Sequence, residues 1–260
     1  MNIFLVSLID KRIERAMISF SQLPVRSSLL SSSYHEILSK LTQEVVDTYI
    51  RFFQSVHIVP NEYKYCENVM VKRFDLLDIN REKLRGIEKK LLDLIQVPVE
   101  TSVIPVHAHL HRSGQMFLYT GIGILESTSR SVVFFLYELS IRTSTIHYSP
   151  GSLQYLEAAL DQMSHNELSK SKSLRDLAAD CGKNYNQFQK DCKDYFGDTF
   201  HQFHNKIKML NVLEDILFTA YSLKEIAYRN DFSSYNSMYF LFTKKYGFPV
   251  HSIPRLLTEI

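Results

Sequence analysis

The chain has 260 residues, 45% of them hydrophobic and 22% charged, with a formal net charge of +2 at pH 7. That balance is ordinary for a folded globular protein and sets aside a disordered or fibrous chain; the length allows two modest domains, each with its own core. No run approaches the ~18 apolar residues that a membrane helix needs, and the eight glycines form no phosphate-cradling loop.

The opening stretch, Met1 to Ile9, is apolar but carries neither a basic start nor a small-residue cleavage site. That argues against a signal peptide, and the chain is expected to be cytoplasmic. Pro24 and the serines Ser27, Ser28, Ser31, Ser32 and Ser33 mark a loop. A helix is predicted from about Tyr34 to Ser55, with Ile37, Leu38, Leu41, Val45, Val46 and Tyr49 on one side. Val56 to Glu62 breaks it. From Glu67 to Gln96 the apolar residues Val71, Phe74, Leu77, Leu84, Ile87, Leu91, Leu94 and Ile95 recur at helical spacing. This predicts one long or two consecutive amphipathic helices.

At Val97 the texture changes. Val99 to His111 alternates, Gln115 to Leu125 is rich in β-formers, and Ser131 to Ile141 is an apolar β-type run. Arg112-Ser113-Gly114-Gln115 reads as a hairpin turn and Glu126 to Arg130 as a second. Three adjacent antiparallel strands after helices predict an α+β domain over residues 1–150. The order resembles the C-terminal half of a PAS fold, and Val56 to Glu62 sits where many PAS domains carry a His-Pro-acidic motif, although here the proline is displaced. The resemblance implies a domain that senses a small-molecule ligand or dimerises.

His107, His109 and His111 fall on one face of the predicted strand, and imidazole suits zinc, copper or iron. Histidines at i and i+2 stand roughly 7 Å apart, which is awkward for three on one ion. The reading therefore carries no metal and no cofactor, and leaves a solvated or partner-facing strand. No spacing of acids, serines or cysteines assigns a nucleophile, acid or base, so no catalytic residue and no enzyme are expected. Cys66, Cys181 and Cys192 lack metal-like spacing, and the last two are predicted as small core hydrophobes. Leu153, Leu156, Leu160 and Met163 form a helical stripe over a linker, 151–166, that is either a dimer coil or a plain connector.

Two copies of one pattern follow. The first runs Leu174, Leu177-Ala178, Gly182, Phe188, Cys192, Gly197; the second runs Leu223, Ile226-Ala227, Asp231, Met238, Phe242, Gly247. Each predicts a short helix, a tight turn, and a longer helix closed by a glycine. Two such units, joined by an amphipathic stretch from Thr199 to Phe218, predict an all-α domain over 167–260 with two helix-turn-helix motifs. Over about residues 165–257 the chain resembles the DNA-binding domain of the AraC/XylS family of transcription regulators, most closely from Ile226 to Gly247.

That resemblance implies sequence-specific binding to double-stranded promoter DNA. Asn184 stands at the family's capping position, and Asn186, Gln189 and Lys190 match its base-contacting positions; these side chains can pair with adenine or guanine. Tyr235, Asn236, Tyr239 and Phe240 hold the matching positions of the second unit, where the family commonly has an arginine in place of Phe240 and a glycine in place of Asp231. Ser233, Ser234, Lys244 and Lys245 are expected at phosphates, as are Lys206 and Lys208 on the linking helix. A homodimer and RNA polymerase are the further expected partners, with no membrane. Residues 165–260 hold thirteen Lys/Arg against eleven Asp/Glu, a weak surplus for a DNA binder. The alternative is therefore an interaction module that keeps the helical domain but has lost specific DNA reading.

Overall fold

The computed structural model describes residues 2–23, 32–59, 65–95, 103–126, 130–148, 150–165 and 173–259. The expected features at Pro24 to Ser31, Pro60 to Glu62, Val97 to Val99, Ser127 to Ser129 and Asn166 lie outside them.

The chain begins with a helix, α1 (Ile3–Ser21), that the sequence reading left unassigned. Leu5, Val6, Ile9, Ile13, Ala16, Met17 and Phe20 are buried at helical spacing. Asn2 caps it, its side chain accepting from the Leu5 amide at 2.9 Å. Helix α2 (Ser32–Ser55) lies where the stripe placed it and buries Leu38, Leu41, Val45, Val46 and Tyr49, while Ile37 is exposed. It stops at His57, whose φ of 56° is left-handed, and the amides of Ile58 and Val59 fold back onto the Phe53 carbonyl.

The helical expectation for Glu67 to Gln96 needs correcting. Its first part is a strand, β1 (Tyr65–Asp75), and it is helical only in a 3-10 turn at Arg81–Lys83 and at its end, α3 (Ile87–Ile95). β1 is an edge strand with Val71 exposed and Lys72 half-buried, so its apolar residues do not alternate in sequence although its burial does. The three predicted strands are present as β2 (Val103–Arg112), β3 (Gln115–Glu126) and β4 (Ser131–Arg142). All pairings are antiparallel, in the order β1-β4-β3-β2. The β2–β3 turn has positive φ at both Ser113 (49°) and Gly114 (73°), the backbone that a two-residue hairpin with matched twist requires. At Gly121 a Cβ would stand 2.0 Å from the Phe135 carbonyl oxygen, so only glycine fits there.

Helix α3 covers one face of the sheet, setting Ile87, Leu91 and Leu92 on Phe74, Val106, Phe134 and Leu136. Helices α1 and α2 cover the other. On their far side lie α4 (Tyr155–His165), α5 (Leu174–Asp180), α6 (Tyr185–Phe196), α7 (Phe200–Phe218), α8 (Leu223–Arg229), α9 (Tyr235–Tyr239) and α10 (Leu256–Glu259). The Phe4 ring of α1 meets Tyr195, Phe196 and Phe203, and the Phe52 ring of α2 meets Phe242 and Phe248. One apolar core thus runs from the sheet through α1 and α2 into the C-terminal helices.

The stripe on α4 faces inward. Leu156, Ala159 and Leu160 are buried within the chain, with Leu153 and Met163 packed beside them. Its apolar side is therefore covered within the chain.

Candidate nucleic-acid interface

Ser173 starts α5 with a capping box completed by Asp176, and Gly182 turns the chain with φ of 66°. Asn184 then caps α6, its side-chain oxygen accepting from the Gln187 amide at 2.9 Å. On α6, Phe188 and Cys192 are fully buried, with Phe188 against Phe200, and this fixes which side faces out. Asn186 and Lys190 are exposed and Gln189 is half-exposed. The buried Asp191 carboxylate accepts from the Tyr155 hydroxyl at 2.7 Å and from the Gln187 amide group at 2.6 Å, pinning α6 to α4. Burial, helped by nearby Asp191, pushes the Cys192 thiol up to about 12, so it packs as a hydrophobe.

The second helix pair is built in the same way. Ser222 and Glu225 form the capping box of α8, and Asp231 takes the left-handed turn with φ of 56°. Ser234 caps α9, accepting from the Ser237 amide at 3.2 Å. The expected long helix is α-helical only over Tyr235–Tyr239 and continues as a wider π-helical turn, Phe240–Lys245. The extra residue in that turn lets the consecutive Leu241 and Phe242 both reach the core. Met238 and Phe242 are fully buried, matching Phe188 and Cys192.

Of the outward positions, Asn236, Lys244 and Lys245 are exposed and Phe240 is 62% exposed. Ser233 donates its hydroxyl hydrogen to Ser237 at 3.2 Å. Tyr235 and Tyr239 are half-buried and lean on His251, the Tyr235 hydroxyl lying 3.2 Å from its Nε2.

The geometry corrects one expected phosphate contact, Lys206, and gives the other, the half-buried Lys208, a partner on the protein surface. Lys206 is 3% exposed, and its ammonium lies 2.5 Å from the Asp198 carboxylate, inside the helical core. Lys208 donates to the Asp231 carbonyl at 2.6 Å and stands over the Phe232 ring, tying down the turn before α9. Helical spacing alone cannot separate the inward Lys206 from outward lysines. Beside Lys208, burial and then the lysine's own charge push His204 down to about 4.

Asp10 on α1, which no sequence signal singles out, meets His107 and His109 of β2, while His111 stays exposed. No local pattern links positions 97 residues apart.

Residues 177–253 match the family model described as a helix-turn-helix domain. The match is of the AraC type, begins within α5 and runs past α9. Comparison of the whole chain with curated proteins and with solved structures gave no match. No described helix is long and apolar enough to cross a membrane.

Proposed function

We propose that the chain is a transcription regulator of the AraC type, binding double-stranded promoter DNA through two helix-turn-helix units. The observation that carries this reading is the outward face of α6, with Asn186, Gln189 and Lys190 free of the core inside a segment that matches a helix-turn-helix domain. Asparagine, glutamine and lysine supply the donors and acceptors that base edges in the major groove complement. In the second unit Asn236 is the polar reader, and Lys244 and Lys245 meet phosphates. The N-terminal α+β half, PAS-like in the order of its elements, senses a ligand or dimerises, and RNA polymerase is the partner at the promoter.

One observation favours the second reading, an interaction module. Phe240 presents an apolar ring where the resemblance calls for a cation, while Lys206 is buried against Asp198 and the half-buried Lys208 is engaged by the Asp231 carbonyl. Selection of full-length protein on randomised DNA, followed by gel shifts between about 50 and 200 mM salt, separates the two. An enriched motif with a steep salt slope supports the regulator. Absence of both supports the interaction module.

A further inference from the structure

The alternation of β2 points His107 and His109 toward the face of the sheet that α1 covers. From α1, Asp10 reaches between them. Its Oδ1 lies 2.9 Å from His107 Nε2 and 2.5 Å from His109 Nε2. One ligand atom from each residue lies within 4.8 Å of the other two. The His rings tilt together, centroids 5.2 Å apart at 76°, which removes the spacing objection that three residues on a flat strand would raise. The side chains of His107, Asp10 and His109 are 10%, 24% and 38% exposed. The cluster is sheltered, then, yet open on the His109 side.

We propose that Asp10, His107 and His109 form a binding site for a borderline divalent transition-metal ion, with zinc the best fit. Two imidazoles disfavour magnesium and calcium, and the lack of a thiolate disfavours copper(I). Ligand atoms on bonds of about 2.0–2.2 Å stand roughly 3.3 Å apart around a tetrahedral centre. The pairs at 2.9 and 2.5 Å are shorter than that, so Asp10 moves outward from both histidines as the ion replaces the shared protons. Three protein ligands leave one position for water or a small ligand. The site stands independently of the DNA-binding reading, because none of its residues belongs to the C-terminal helices.

The test uses tag-free, full-length protein stripped with a chelator. Zinc is titrated calorimetrically, and cobalt(II) is added as a spectroscopic substitute. The expected result is one ion per chain, a raised thermal midpoint, and a cobalt spectrum typical of four-coordinate nitrogen and oxygen ligands. Asp10→Asn and His109→Gln should each weaken affinity by about tenfold or more, while His111→Gln leaves it unchanged. No retained ion, or equal affinity in the folded Asp10→Asn and His109→Gln proteins, overturns the site. If both variants unfold, the native protein still decides: a thiolate-to-cobalt charge-transfer band would place the ion at a cysteine and overturn the assignment.

Discussion

Gln189 and Lys190 stand one and two residues beyond the buried Phe188, so they are carried on a helix whose rotation is fixed by the core rather than by contact with DNA. Replacing both by alanine should cost about 2–5 kcal/mol of specific binding, at ~1–3 for each base contact, with the circular dichroism spectrum intact. Unchanged operator affinity in the folded double variant would remove α6 from the reading head. His204 gives a different kind of test. Its folded-state value of about 4 lies below its ordinary 6.5, so between those limits the unfolded chain binds more protons than the folded one. Acid then favours unfolding: stability should rise with pH across that window and level off above it. Urea midpoints measured over this range should show a shallower rise in His204→Gln than in the native chain.

At the scale of elements, the two helix pairs share capping, turn and core positions but differ on their outward faces. Phe240 opens the π turn and is mostly exposed, so Phe240→Arg changes the surface without touching the core. It should tighten binding at low salt and add about one unit to the salt slope. Weaker binding in a gel shift would mean that the ring itself contacts DNA, as it would against a thymine methyl. The repeat was legible in sequence because both of its ends are local signals: caps, left-handed turns and closing glycines. The hairpins β2–β3 and β3–β4 were legible for the same reason. β1 was not, because an edge strand carrying Lys72 and Arg73 shows no apolar alternation in sequence, and Val71, Phe74 and Leu77 mimic a helical stripe. That Lys206 points inward was equally hidden, since it differs from surface lysines only in its tertiary partner Asp198.

At the scale of the molecule, α1 is the element that sequence patterning missed and that joins most of the structure. Its Arg12 and Arg15 lie 3.5 and 2.6 Å from Glu214 on α7. Arg12 is deeply buried, and burial lowers its guanidinium from the ordinary value despite Glu214. Glu214→Ala leaves that charge without its carboxylate and should lower unfolding free energy by about 3 kcal/mol. Glu214→Gln, which keeps an acceptor, should lose less. Equal urea midpoints for native and Glu214→Ala proteins would show that the pair does not hold α1 to α7.

The Phe52 ring lies against both Phe242 and Phe248, and Phe4 lies among Tyr195, Phe196 and Phe203. These aromatic side chains of the helical half are covered by residues from the first fifty-odd positions of the chain. During synthesis the last helices therefore find their apolar cover already made, on a segment that left the ribosome long before them. A gene fragment encoding only the C-terminal half carries no such cover. Its product would show water a patch of phenylalanines rather than a finished surface, and would tend to associate through it.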